Sequence, residues 1–135
     1  MNIPELKERL LERLLRYAAF DTQSDPESET YPSTARQLLL LNHLVEELTL
    51  IGLDDVEIDE YGYVTATVPS TLPEGDSLSP TVGFIAHVDT SPDMSGEGVR
   101  PQVVRDYDGG AVPLGDGGLV LSPEDFPELA LLRGH

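Results

Sequence analysis

An uninterrupted apolar run, residues 81–86, constrains the fold of this chain more than any other sequence feature. Its sequence, Thr-Val-Gly-Phe-Ile-Ala, does not alternate between apolar and polar positions as a half-exposed strand does. A short continuous run of this kind is typical of a central strand covered on both faces. Because such strands lie in sheets flanked by helices, the run predicts an α/β fold with a mixed sheet.

Two potential metal-site residues, His87 and Asp89, come directly after this run. Ligands of open α/β sheets gather beyond the carboxyl ends of the strands. In extended backbone, residues two apart point to the same face, so His87 and Asp89 are expected to project together, with Val88 turned into the core. A metal-bound imidazole usually donates its second ring N–H to a carboxylate. The pair therefore suits one corner of a zinc site, although a structural hydrogen bond or a solvated pair would show the same spacing.

Helical periodicity predicts two amphipathic helices in the first part of the chain. The first covers residues 4–20, with Asn2 and Glu5 able to form a capping box. The second runs to about Leu50, with residues 34–37 as its cap. The positions expected to be buried are Leu6, Leu10, Leu11, Leu14, Leu15 and Ala18 in the first helix, and Leu38, Leu41, Val45 and Leu48 in the second.

Shorter elements are predicted in the remaining segments. Apolar residues at every second position on both sides of residues 61–62 predict a β-hairpin. Residues 69–80 contain three prolines and a glycine and predict a surface loop. Short strands are predicted at residues 102–105 and 119–121, and a last helical turn from Ser122 that Pro127 would limit.

Composition narrows the possible functions. The net charge of −17, from 25 acidic and 8 basic residues, disfavours nucleic acid and anionic membrane surfaces as partners. The absence of cysteine excludes disulfides and thiolate metal sites, so any zinc must be held by histidine and carboxylates. No apolar run approaches the roughly 20 residues that span a bilayer, and no signal-peptide core is present. A cytoplasmic location is therefore predicted.

Other candidate ligands are less specific than His87 and Asp89. His43 lies within the second predicted helix and is expected on its surface, and His135 is the last residue. Carboxylates suited to calcium occur in one loop, but their spacing matches no EF-hand: Asp21, Asp25, Glu27 and Glu29. The two Gly-Gly pairs lack the strand–turn–helix context of a phosphate-binding loop.

Residues 84–93, Phe-Ile-Ala-His-Val-Asp-Thr-Ser-Pro-Asp, resemble the first metal motif of the peptidase T family. These tripeptide aminopeptidases belong to a wider group of co-catalytic zinc peptidases. Further segments that resemble the family follow in order along nearly the whole chain: 20–24, 32–34, 62–66, 99–102, 107–110 and 121–127. A lone His-x-Asp is a weak signal, whereas this ordered set is specific for peptidase T over its relatives.

The resemblance implies roles for two residues. His87 matches a histidine that ligates one of two zinc ions, and Asp89 matches the catalytic aspartate that holds the geometry and electrostatics of the site. The implied activity is metal-assisted hydrolysis that releases the N-terminal residue from tripeptides. The family's bridging aspartate, glutamate general base, further acidic ligands, last histidine and lid domain have no counterpart here. We therefore expect residues 1–135 to be the N-terminal portion of a metallopeptidase catalytic domain, inactive alone.

Two alternatives share parts of this pattern. An aminoacylase-like or carboxypeptidase-like two-zinc hydrolase would use the same His-x-Asp arrangement, and its activity on an N-acyl amino acid rather than a free tripeptide would distinguish it. A small acidic binding module without catalysis would unfold cooperatively and gain no stability from zinc.

Overall fold

The computed structural model describes residues 2–73 and 80–135, which divide into two compact units at residues 101 and 102. Residues 74–79 of the predicted surface loop lie outside the described residues. The first unit contains α1 (Ile3–Ala18), α2 (Gln37–Leu50), β1 (Asp54–Ile58) and β2 (Val64–Thr67); the second contains β3 (Val112–Leu114), β4 (Leu119–Leu121) and a 3-10 helix (Pro127–Leu132). The α/β class predicted from the sequence is confirmed, and the strands form two small antiparallel ladders, β1–β2 and β3–β4.

Helix α1 begins as the sequence predicts, but none of its residues is fully buried. The side chain of Asn2 accepts a hydrogen bond from the backbone N–H of Glu5 at 2.9 Å, which caps the helix. The predicted buried stripe is wrong for Leu6, Leu10 and Leu14, which are 41%, 52% and 62% exposed. The polar contacts of α1 with α2, described below, lie in its C-terminal half, and no element of the described chain covers Leu6, Leu10 and Leu14.

Helix α2 carries the core of the first unit. Leu40 and Leu41 are only 5% and 4% exposed, and the helix packs on both strands of the β1–β2 hairpin. Burial of Leu41 was predicted, and Val45 and Leu48 are half-buried. Leu38, also predicted to be buried, is 36% exposed.

The cap predicted for α2 is wrong. Arg36 occupies the N-cap position and makes no side-chain capping bond. The hydroxyl of Thr34, the expected cap, instead donates to the carbonyl of Gln23 at 2.9 Å. The Thr34 hydroxyl therefore bonds to an acceptor outside α2 instead of capping the N-terminus of that helix.

The predicted hairpin is confirmed. Strands β1 and β2 pair antiparallel, and the Asp59 carboxylate accepts from the backbone N–H groups of Tyr61 and Tyr63 at 3.0 and 2.8 Å. Gly62 in this turn has φ +87°, a conformation that favours glycine. A Cβ there would lie 3.2 Å from Leu41 Cδ1, so the turn also packs closely against α2.

The central strand predicted at residues 81–86 does not form. Phe84 and Ile85 are 96% and 100% exposed, and no strand of the described chain pairs with this segment. A strand covered on both faces needs neighbours on each side, and residues 2–73 and 80–135 supply none. Beyond the end of the segment, Gln23 and Thr90 form an isolated parallel bridge.

The second unit is built around Tyr107 and Leu129, which are both buried. Its β3–β4 ladder confirms the strand predicted at residues 119–121, whereas the strand predicted at 102–105 is wrong and those residues are exposed. Pro127 begins the 3-10 helix rather than limiting a helical turn, because proline's missing N–H is tolerated in a first turn. No helix in the described ranges combines the length and apolar character needed to cross a bilayer.

Candidate functional site

The structure places His87 and Asp89 in direct contact. The imidazole Nδ1 of His87 lies 3.1 Å from Asp89 Oδ1. The side chains are 84% and 47% exposed, whereas the intervening Val88 is half-buried. The two polar side chains therefore lie together on the accessible side of the segment, opposite the valine.

This contact determines which ring nitrogen is available to a ligand. A carboxylate accepts from an N–H, so Asp89 favours the tautomer of His87 that carries its proton on Nδ1. The lone pair then lies on Nε2, which has no hydrogen-bond partner within the described residues. The exposed imidazole can therefore accept an electrophile at Nε2 while Asp89 holds the opposite side of the ring.

Backbone hydrogen bonds fix the chain immediately after the pair. The N–H of Thr90 donates to the carbonyl of Thr22 at 3.1 Å, and its carbonyl accepts from the N–H of Ser24 at 2.9 Å. The Ser24 hydroxyl donates to the same carbonyl at 2.9 Å. Thr22 is only 2% exposed, so the segment following α1 forms a buried anchor for Thr90. The residue that follows Asp89, Thr90, is therefore held in place, although the Asp89 side chain itself is accessible.

The rest of the motif forms a local turn. The Ser91 hydroxyl donates to Asp93 Oδ2 at 2.8 Å and accepts from the Asp93 backbone N–H at 3.2 Å. These bonds satisfy the serine and aspartate within the turn. Among the described residues, no hydrogen bond joins Asp93 to His87 or Asp89.

The sequence predicted His43 on the surface of α2, but its side chain is half-buried and 28% exposed. Its ring lies 5.4 Å from the ring of Phe20 and 6.1 Å from that of Tyr17, measured between centroids. Its Nε2 atom is buried, without a hydrogen bond in the described structure, and 3.7 Å from Glu47 Oε2. His43 is therefore part of the packing between α1 and α2.

Glu47 is the centre of that packing and was not identified from the sequence. It accepts from Arg13 at 2.5 Å, from Tyr17 at 2.6 Å and from Arg16 at 3.1 Å. Burial raises the pKa of Glu47, but the hydrogen bonds from Tyr17 and Arg13, with the positive charge of Arg13, outweigh it and lower the pKa to about 2. Basic residues on one face of α1 were the available signal, but their partner lies more than 30 positions away.

The acidic loop considered for calcium is organised by internal contacts. Asp21 pairs with Arg36 at 2.6 Å, and Asp25 accepts from the backbone N–H of Glu27 at 3.0 Å. Across residues 2–73 and 80–135, no group of three or more histidine or carboxylate side chains is placed to hold a metal ion. His135 lies in the second unit, where its backbone bonds to Tyr107.

Comparison with known proteins identifies relatives of the chain. No family model matches it. The chain is 50% identical over 131 residues to peptidase T of Geobacillus thermodenitrificans, and 53% identical over 131 residues to peptidase T of Bacillus licheniformis. The chain is a relative of peptidase T. Peptidase T of Clostridium acetobutylicum is 52% identical over 128 residues.

The similarity to peptidase T covers nearly all of this chain but a smaller part of each relative. The three alignments include 96%, 96% and 94% of the chain. The chain spans about a third of the length of these relatives, 31% in each case. The predicted resemblance to peptidase T is thus confirmed, and with it the relationship to a peptidase-type enzyme.

Proposed function

We propose that this chain supplies one corner of the two-zinc active site of a peptidase T-type aminopeptidase, which releases the N-terminal residue from tripeptides. The observation that carries the proposal is the exposed contact of 3.1 Å between His87 Nδ1 and Asp89 Oδ1. It occurs in a chain about 50% identical to peptidase T. The substrate is a small peptide, and the proposed location is the cytoplasm.

The two residues have complementary roles in this proposal. His87 is the zinc ligand and uses Nε2, while Asp89 accepts from Nδ1–H and fixes the ring orientation. Asp89 is the proposed catalytic aspartate and adds negative charge beside the cation. When bound, zinc supplies Lewis-acid activation for hydrolysis of the peptide bond.

The donor set fits one ligand position. Imidazole and carboxylate groups are zinc ligands, and His87 is accessible to solvent. Zinc normally takes four ligands, and the described part of the chain brings no third histidine or carboxylate to the pair. We therefore expect residues 1–135 alone to hydrolyse no tripeptide, and the complete site to use further ligands of a peptidase T-length protein.

A chimeric enzyme tests this function. Residues 1–135 replace the aligned segment of Geobacillus thermodenitrificans peptidase T, and hydrolysis is measured with a free tripeptide and with an N-acyl amino acid. We expect tripeptide hydrolysis. Loss of the orienting carboxylate in Asp89→Asn should reduce kcat/KM about 10–100-fold, and His87→Ala should reduce it further. His135→Ala, which removes an exposed imidazole, is the matched control and should leave the rate unchanged.

The alternatives give different results. Preferential hydrolysis of the N-acyl amino acid would identify an aminoacylase-like enzyme with the same metal corner. A folded chimera in which His87→Ala retains full activity on tripeptides would contradict the proposed role of the pair.

A further inference from the structure

Gln23 connects the segment after α1 to the backbone that follows the His87–Asp89 pair. Its neighbours Thr22 and Ser24 hold Thr90 through the backbone bonds of the parallel bridge. Its side-chain amide Nε2 donates to the carbonyl of Pro92 at 2.9 Å. The chain leaving Asp89 is therefore held at two successive points, Thr90 and Pro92.

Gln23 is itself held by groups from two other parts of the first unit. Its backbone N–H donates to Asp21 Oδ1 at 3.1 Å, and its carbonyl accepts from the Thr34 hydroxyl at 2.9 Å. The other carboxylate oxygen of Asp21 accepts from Arg36 at 2.6 Å. Because hydrogen bonds hold the backbone N–H and carbonyl of Gln23 in place, its side-chain amide can hold the Pro92 carbonyl at a fixed position.

The loop beyond Pro92 also passes close to this anchor. Gly96 is buried, and a Cβ at this position would lie 2.6 Å from Asp21 Oδ1. The hydrogen bond from Arg36, followed by that from the Gln23 N–H, lowers the pKa of Asp21 below its usual range. Asp21 is therefore an ionised acceptor at neutral pH, and its contacts organise Gln23 on one side and the motif loop on the other.

We propose that Gln23 is a positioning residue of the His87–Asp89 site, acting through its amide bond to the Pro92 carbonyl. This inference rests on the proposed function, because it assigns Gln23 a role in the same site. The amide restricts the backbone after Asp89 and so keeps the Asp89 carboxylate at His87 Nδ1. As a consequence, His87 is held in its Nδ1–H tautomer, and the lone pair on Nε2 is available for a metal ion already in the metal-free chain.

Two substitutions of Gln23 separate the donor from the bulk of the side chain. Gln23→Met keeps a long, uncharged side chain without a donor, whereas Gln23→Lys restores a donor at similar reach. Gln102→Met is the matched control, because Gln102 is an exposed glutamine in the second unit. The metal-free 135-residue chain is used throughout.

The readouts are the imidazole ¹⁵N shifts of the three histidines and the exchange rate of the Thr90 amide proton. In Gln23→Met, we expect the Nδ1–H tautomer of His87 to lose population and Thr90 to exchange roughly threefold to tenfold faster, as the loss of one hydrogen bond implies. His43 should keep its shifts, because it lies in the α1–α2 contact. Gln23→Lys should restore both values, and Gln102→Met should change neither.

Two results would overturn the role of Gln23. One is a Gln23→Met chain whose His87 tautomer and Thr90 exchange match those of the original chain. The other is an equal change at His87 and His43 accompanied by a large drop in Tm, which would show only general destabilisation. A separate zinc titration tests the proposed function: an unresponsive His87 would contradict that function and leave the tautomer result for Gln23 intact.

Discussion

The described part of the chain contains two histidine–carboxylate pairs, and they differ in how deeply the carboxylate is buried and in how many donors it binds. His43 and Glu47 lie 3.7 Å apart within the α1–α2 contact, where Glu47 is only 14% exposed and accepts from Arg13, Arg16 and Tyr17. His87 and Asp89 lie 3.1 Å apart with side chains 84% and 47% exposed.

This difference separates a structural pair from one suited to a ligand. The lone pairs of Glu47 are occupied by three donors, and the pair with His43 is covered by aromatic rings. The His87–Asp89 pair leaves one ring nitrogen accessible on an anchored segment. The same residue types therefore stabilise the fold in one region and, in the function proposed above, form part of a zinc site in the other.

The largest effect on stability is expected from Glu47→Gln. The substitution removes the charge that three donors share and leaves Arg13 partly buried without its partner. Hydrogen bonds to charged groups contribute about 1.5–3 kcal/mol, and partial exposure reduces this value, so we expect a loss of about 1–2 kcal/mol in the free energy of unfolding. Urea denaturation of the 135-residue chain measures it. A loss below about 0.3 kcal/mol would remove the contrast between the two pairs.

Acid unfolding should depend on the same residue. The folded-state pKa of Glu47, about 2, lies below its ordinary value of 4.5, so its contribution is present above that value and is lost as pH falls from 4.5 towards 2. The chain should therefore lose about 1–2 kcal/mol more stability between pH 5 and pH 2 than Glu47→Gln does. Gln102→Met, which changes no ionisable group, is the control and should retain the full pH dependence. Identical acid profiles of the original chain and Glu47→Gln would contradict this assignment.

A smaller effect is expected from Asp89→Asn. Exposed ion pairs contribute little, so the free energy of unfolding should change by less than about 0.5 kcal/mol. The imidazole ¹⁵N shifts of His87 should nevertheless change, because the asparagine amide can accept from or donate to the ring and so no longer fixes one tautomer. A loss of stability as large as that of Glu47→Gln would show that the two pairs are both structural.

The smallest effect is expected from Phe84→Ser. Phe84 is 96% exposed, so its replacement removes almost no buried apolar surface from the described fold. Its unfolding free energy should stay within about 0.5 kcal/mol of the original, measured beside Leu40→Ala, which empties a core position and should cost about 2 kcal/mol or more. A comparable loss of unfolding free energy in Phe84→Ser and Leu40→Ala would show that Phe84 is buried, as the predicted central strand requires.

The elements that sequence predicted correctly depend on local information. The cap at Asn2 and the turn at residues 59–63 require partners within four positions, and the structure shows both. The strand at residues 81–86 is wrong because a continuous apolar run indicates burial without supplying the neighbouring strands. The strand predicted at 102–105 is also wrong: Val103 and Val104 are 44% and 49% exposed, and no strand of the described chain pairs with them.

The predictions for the site also succeeded where the information was local and failed where it was long-range. The His-x-Asp spacing was sufficient to expect that His87 and Asp89 project together, since both lie within one extended segment. Their anchor could not be read from spacing, because Thr22 and Gln23 reach Thr90 and Pro92 from more than 60 positions away. The resemblance of residues 20–24 to peptidase T was the only signal that this loop matters.

Zinc titration of the 135-residue chain, observed at the imidazole resonances, tests the central claim most directly. His135 serves as an internal reference, because it is an exposed histidine in the second unit with no carboxylate bonded to its ring in the described structure. We predict that His87 binds zinc about 10–100-fold more tightly than His135, and that Asp89→Asn removes this advantage. Equal affinities at His87 and His135, unaffected by Asp89→Asn, would contradict the account.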